Sequence, residues 1–127
     1  MGQSGQAAIL AVTCVASKNI APADAWDFAI SKLSDSHSVR AKCCPRGAFL
    51  SLCESGAVIG VPAGAYGAPR GGKNGQYAKN ALGILRSKPS LASDKNTLWA
   101  MATAAEVLAH NQQMDVVLSL WQKQLLR

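Results

Sequence analysis

The chain has 127 residues, 49% of them apolar and 16% charged, with a formal net charge of +6. That length suits one domain, and folding at this size buries roughly two-thirds of the unfolded surface, enough for a hydrophobic core. The apolar content excludes intrinsic disorder, which goes with few apolar residues and high charge, and the 16 Gly and Pro residues follow no collagen-like period.

Residues 7–16 form the longest strongly apolar stretch, interrupted by Thr13. It is too short to span a bilayer, which takes about 20 residues. No Lys or Arg precedes it, as a signal peptide requires, and Gln6 stands where myristoylation needs Ser or Thr. The expectation is a cytoplasmic protein without membrane contact. Cys14, Cys43, Cys44 and Cys53 match no zinc or redox spacing. Neighbouring residues such as Cys43 and Cys44 seldom meet disulfide geometry, so all four are read as reduced thiols.

Residues 6–17 read as a first helix, with Ala7, Leu10, Ala11, Cys14 and Val15 recurring at helical spacing. Pro22 opens a second, since its missing N–H would be unpaired at a first helical position anyway. Asp24 and Asp27 favour the positive end of that helix's dipole, and Trp26, Ala29, Ile30 and Leu33 supply its buried face. The polar residues 34–42 read as a loop. Pro45 opens a third helix, running to about Glu54 and ending near Gly56. Residues 57–61 fit either a short strand or a buried connector. Six glycines and two prolines make 60–75 a loop. A fourth helix covers 77–86, with Tyr77, Ala78, Ala81, Leu82 and Leu85 inward, and Pro89 stops it. Ser93 or Asp94 caps a fifth, which carries Leu98, Trp99, Ala102 and Leu108. Asn111 caps a sixth, with Met114, Val117, Leu118, Trp121 and Leu125 on one face.

One block of residues has a family likeness. Cys44-Pro45-Arg46-Gly47-Ala48-Phe49-Leu50, followed by Leu52-Cys53-Glu54, Gly56, Val58, Gly60 and Tyr66, resembles a motif block of small uncharacterised bacterial proteins that occur among integron gene-cassette products. Tyr77-Ala78 with Ala81, and Asn111 to Leu118 with Trp121, extend the resemblance over most of the chain. It implies a small cytoplasmic bacterial protein carried on a mobile genetic element. It implies no assigned activity and no catalytic residues.

Four features bear on chemistry. Gly67 to Asn74 fits the phosphate-loop pattern GxxxxGK[ST] except that Asn74 has no hydroxyl for magnesium. No tight strand precedes it, so a surface loop is the plainer reading. Cys44, at the predicted start of the third helix between Lys42 and Arg46, sits where a thiol pKa falls. No spacing pairs it with His37 or His110, and a small buried residue is the plainer reading. Between Arg40 and Lys95, nine basic residues face two acidic ones, a net +7, while the rest of the chain sums to −1. Such an excess binds phosphate backbones through counterion release, with Tyr66 placed to stack on a base, or it is simply a solvated surface. Trp26, Trp99 and Trp121 lie on inward stripes, as core anchors or as anchors of a homodimer through the sixth helix.

The sequence therefore predicts a mainly α, single-domain fold over 1–127. It has five to six helices, a central Gly-rich loop, and a small β element left open. The first functional reading is a non-catalytic binding or adaptor module whose basic surface comprises Arg46, Tyr66, Arg70, Lys73 and Lys79. Nucleic-acid binding through the loop or a winged arrangement is the alternative. A thiol-dependent enzyme using Cys44 is a second. No metal or cofactor is expected, and the partner stays open among nucleic acid, an acidic protein and a second copy.

Overall fold

The computed structural model describes residues 2–33, 43–70, 72–105 and 112–127. Among them six α-helices occur in chain order: α1 Gly2–Lys18, α2 Pro22–Leu33, α3 Cys43–Glu54, α4 Lys73–Ser87, α5 Lys95–Ala102 and α6 Gln113–Gln122. A 3-10 turn, Pro89–Ser93, joins α4 to α5. The chain is a mainly helical single domain, as its periodicity predicts. No helix among the described residues is long and apolar enough to cross a membrane.

The second helix begins at Pro22 and buries Trp26, Ala29 and Ile30, as its apolar spacing requires. Trp26 meets Phe49 of α3 with ring centroids 5.3 Å apart. Asp94 caps α5: its carboxylate accepts from the Thr97 N–H at 3.2 Å and from the Thr97 hydroxyl at 2.7 Å. Trp99 then stands edge-on to Tyr77 of α4 at 5.4 Å. Leu108, assigned by its spacing to the fifth helix, lies outside the described residues, as do His37, His110 and Asn111; α5 itself ends at Ala102.

Three expectations need correction. The first helix starts at Gly2, four residues before the predicted start at Gln6. Ser4 and Gly5 are buried against α6, and the Ser4 hydroxyl donates to the Gln112 side chain. Likewise α4 starts at Lys73 rather than 77, so the loop ends at Gly72. In both cases packing prolongs a helix through glycines and polar residues whose own propensity is poor.

The third correction concerns the last helix. It is not amphipathic in the fold: every residue from Gln113 to Leu120 is buried. Helices α1, α3, α4 and α5 all pack against it, so the face considered for a homodimer is covered by the chain's own helices. Trp121 at its end is half-buried, whereas Trp26 and Trp99 are core residues.

Residues 57–61 resolve to a connector, not a strand. Val58 forms one isolated antiparallel bridge with Leu126. Its flanking bonds are Ile59 N–H to Leu125 O at 2.8 Å and Arg127 N–H to Ala57 O at 2.9 Å.

The approach of α3 to α4 is set by Gly75. A Cβ there would lie 2.6 Å from the Ser51 Cβ, well inside contact distance. Gly83, further along α4, is the opposite case, because a Cβ there meets nothing within 4 Å. Gly75→Ala should therefore cost about 1–3 kcal/mol through overpacking, and Ser51→Gly in the same chain should recover part of it. Gly83→Ala should add about 0.5–1 kcal/mol, because alanine favours the helix. Urea unfolding midpoints measure both, and equal shifts of the same sign would contradict this packing.

A candidate anion-binding cavity between α3 and α4

The close crossing at Gly75 sets the last turn of α3 beside the first two turns of α4. Between them, under the glycine-rich loop, lies a cavity of about 580 Å³. Its lining includes Ser51 and Glu54 from α3, Arg70 from the loop, and Lys73, Gln76 and Lys79 from α4. The volume falls within the roughly 300–1,000 Å³ range of small-molecule sites.

Glu54 holds the loop in place. One of its carboxylate oxygens, Oε2, accepts from the backbone N–H of Tyr66 at 2.8 Å and of Ala68 at 3.0 Å. Its own carbonyl accepts from the Gly64 N–H at 3.3 Å. Gly67 between the two donors has φ +85°, which turns successive amides toward one acceptor. The Tyr66 and Ala68 amides draw the Glu54 pKa below its ordinary value, with the Gly67 amide and the Lys79 charge adding to the effect. The one carboxylate of the lining is thus committed to the loop backbone.

The cations are not committed in this way. Among the described residues, Arg70, Lys73 and Lys79 form no ion pair. Lys73 opens α4, whose N-cap Gly72 offers no side chain and whose first turn contains no acidic residue. The positive end of the helix dipole is left uncompensated there. Three cations and an open helix N-terminus around one concavity favour an anion.

The sequence names Arg70, Lys73 and Lys79, and the fold brings these three together. Arg46 lies elsewhere, with its guanidinium bridging both oxygens of Asp27 at 2.9 and 3.2 Å. Tyr66 contributes its amide to Glu54, while its hydroxyl donates to the Pro62 carbonyl. It is not part of the lining. Asn74, the residue at odds with the phosphate-loop pattern, turns inward, and its side-chain oxygen accepts from Gln113 at 2.8 Å. Ser51 and Gln76 carry no motif; Glu54 belongs to the Leu52-Cys53-Glu54 block and is one of two acidic residues in the basic middle.

Cys44 falls within the first turn of α3 rather than before it, and its side chain lies outside the described residues. Cys53, on the same helix, is buried, and that burial pushes its thiol up to about 12, with the neighbouring Glu54 charge acting the same way. At neutral pH it is therefore a thiol, not a nucleophile. Among the described residues no group of three or more His, Cys, Asp or Glu could hold a metal ion.

A family model covers residues 1–127 in full. The chain belongs to the family of unknown function DUF6979. No curated protein and no solved structure shows significant similarity to it. For this DUF6979 member the chemistry has therefore to be read from its own cavity.

Glu54 titrates lower in the folded chain than in the unfolded one. Its contribution to stability is complete above the ordinary carboxylate range and is lost as the pH falls through its folded value. Thermal unfolding followed downward from neutral pH should accordingly lose more ground in the parent than in Glu54→Gln, which has no carboxylate to protonate. Parallel curves for the two proteins would mean that Glu54 does not anchor the loop.

Proposed function

We propose that this chain is a non-catalytic binding module whose basic cavity takes a phosphate-bearing or similarly anionic ligand. The observation that carries this reading is the convergence of Arg70, Lys73 and Lys79, all without ion-pair partners among the described residues, on one cavity at the open N-terminus of α4.

The distribution of charge favours a compact ligand over a long duplex. Of the basic residues between Arg40 and Lys95, Arg46 is paired with Asp27 and Lys95 with Asp115. The Arg86 Nε donates to the Arg127 carbonyl at 2.7 Å. Of the others, Arg70, Lys73 and Lys79 gather at the cavity and Lys88 lies outside its lining, while Arg40 and Lys42 lie outside the described residues. Nothing in the lining resembles a nucleophile with its base. The Ser55 hydroxyl donates to the Leu52 carbonyl at 2.9 Å. Binding without chemistry is what the lining supports.

Calorimetric titration with pyrophosphate at low salt tests the proposal. The parent should bind, and binding should weaken as sodium chloride is added, because exposed charges are screened. Lys73→Ala with Lys79→Ala should reduce affinity at least tenfold, while Arg46→Ala should leave it unchanged. A double variant that binds as well as the parent, or a parent that does not bind pyrophosphate, would refute it. A duplex DNA titration run alongside reports the number of phosphates engaged. A salt slope near that of the 6–10 contacts typical of a DNA-binding protein would place the ligand on an extended surface instead.

A further inference from the structure

Lys79 borders a second concavity, further along the exposed face of α4. This groove, of about 480 Å³, runs between α4 and α5 and is lined by Lys79, Gly83, Ile84, Ser87, Lys88 and Met101. Its floor is Gly83. A glycine in the interior of an exposed helix is unfavourable, and here nothing in the fold requires one, since a Cβ would meet no atom within 4 Å. What the glycine does is keep the floor of the groove bare. Met101 beside it is 42% exposed, one of only three large apolar side chains that protrude among the described residues.

We infer that the groove over Gly83 receives the ring of the same ligand whose phosphate occupies the basic cavity, so that the ligand is of the nucleotide class. This rests on the reading of the cavity as an anion site. Gln76 lines the cavity and Gly83 floors the groove, two helical turns apart on one face of α4, about 10 Å along its axis. Lys79 stands between them. A ligand spanning both therefore has an anionic end and an apolar body a short linker apart. The character of the groove selects a ring over an alkyl chain. Ile84 and the thioether of Met101 provide apolar contact, and methionine sulfur favours aromatic faces. The far end is closed by the Ser87 hydroxyl and by Lys88, both donors, which suit a ring edge carrying acceptors and not a hydrocarbon terminus. The Asn80 amide is already engaged, donating to the Ala102 carbonyl at 3.0 Å and accepting from Gln76 at 2.8 Å. Asn80 lines the groove beside Lys79 with both ends of its amide engaged.

The test compares pyrophosphate with ADP as calorimetric probes on the full chain. ADP should bind at least tenfold more tightly than pyrophosphate. Gly83→Leu, which fills the floor, should bring ADP down to the pyrophosphate level and leave pyrophosphate itself unaffected. Met101→Ser should cause the same selective loss without altering α4. ADP no tighter than pyrophosphate, or an ADP advantage that survives both variants, would overturn the inference while leaving the anion cavity intact. If neither probe binds, the cavity reading fails and this inference fails with it. A ten-residue deoxythymidylate strand separates the two sources of nucleotide. Tighter binding than ADP with the same sensitivity to Gly83→Leu would mean that the nucleotide is read within a strand. Weaker binding would mean that it is a free molecule.

Discussion

A helix buried on every side is the constraint from which the rest of this fold follows. Residues from Gln113 to Leu120 in α6 have no solvent-facing side, yet three of the eight are polar: Gln113, Asp115 and Ser119. Each must be matched, because a buried polar group without a partner is costly. The Asp115 carboxylate takes the Lys95 ammonium at 3.1 Å, and Asp115 is the more buried of the pair, 11% exposed against 38%. Breaking that pair would leave a desolvated charge, which costs more than the pair itself contributes. Ser119 faces Gly5 of α1, where a Cβ would stand only 3.1 Å from the Ser119 Cβ and 3.0 Å from the Asp115 carbonyl oxygen. The first helix thus reaches α6 because residue 5 has no side chain.

The same helix positions the cavity. Gln113, at the start of α6, holds Asn74 in the first turn of α4. That bond turns Asn74 inward, and Lys73, its neighbour on the helix, lines the cavity. On the other side of α4, Gly75 admits Ser51 and fixes how near α3 can come. The N-terminus of α4 is thus located by one hydrogen bond to the core and one close approach to α3. The loop above it is located by Glu54. Three local devices on three elements define a concavity that no one of them would form alone.

What the sequence made legible follows from this arrangement. Elements whose stability comes from an apolar stripe and a local cap, such as α2 with Pro22 and Trp26 or α5 with Asp94, are visible in the order of residues. Elements that exist because something else packs on them are not. The first turn of α1 reads as glycine and polar residues, and packing on α6 with the Gln3 bond to the Leu33 carbonyl of α2 makes it a helix. The first turn of α4 reads as loop because Gly72 and Gly75 punctuate it, while the Asn74–Gln113 bond spans 39 positions. Residues 57–61 have the composition of a strand, but among the described residues Val58 pairs only with Leu126. Of the candidate site, the cations were legible because basic residues cluster in sequence. Glu54, Ser51 and Gln76 were not, because their roles depend on a helix crossing.

The fate of the basic middle shows why charge counted along a chain overstates a charged surface. Arg46 is as exposed to inspection in the sequence as Lys73, yet α2 brings Asp27 within 2.9 Å of it and the charge is locally neutralised. Lys95 is taken up by Asp115 of the core helix. The acidic residues that do this, at 27 and 115, both lie outside the basic segment, so sequence position separates partners that the fold unites. Among the described residues one carboxylate, that of Glu54, sits among the cations of the cavity, and backbone amides hold it. Had Glu54 instead paired with Lys79 or Lys73, one of the three cations would be engaged and the loop left unanchored. The three N–H groups that draw its charge toward the loop therefore do two things at once. They fix the roof of the cavity, and they leave the cations beneath it to act on whatever enters.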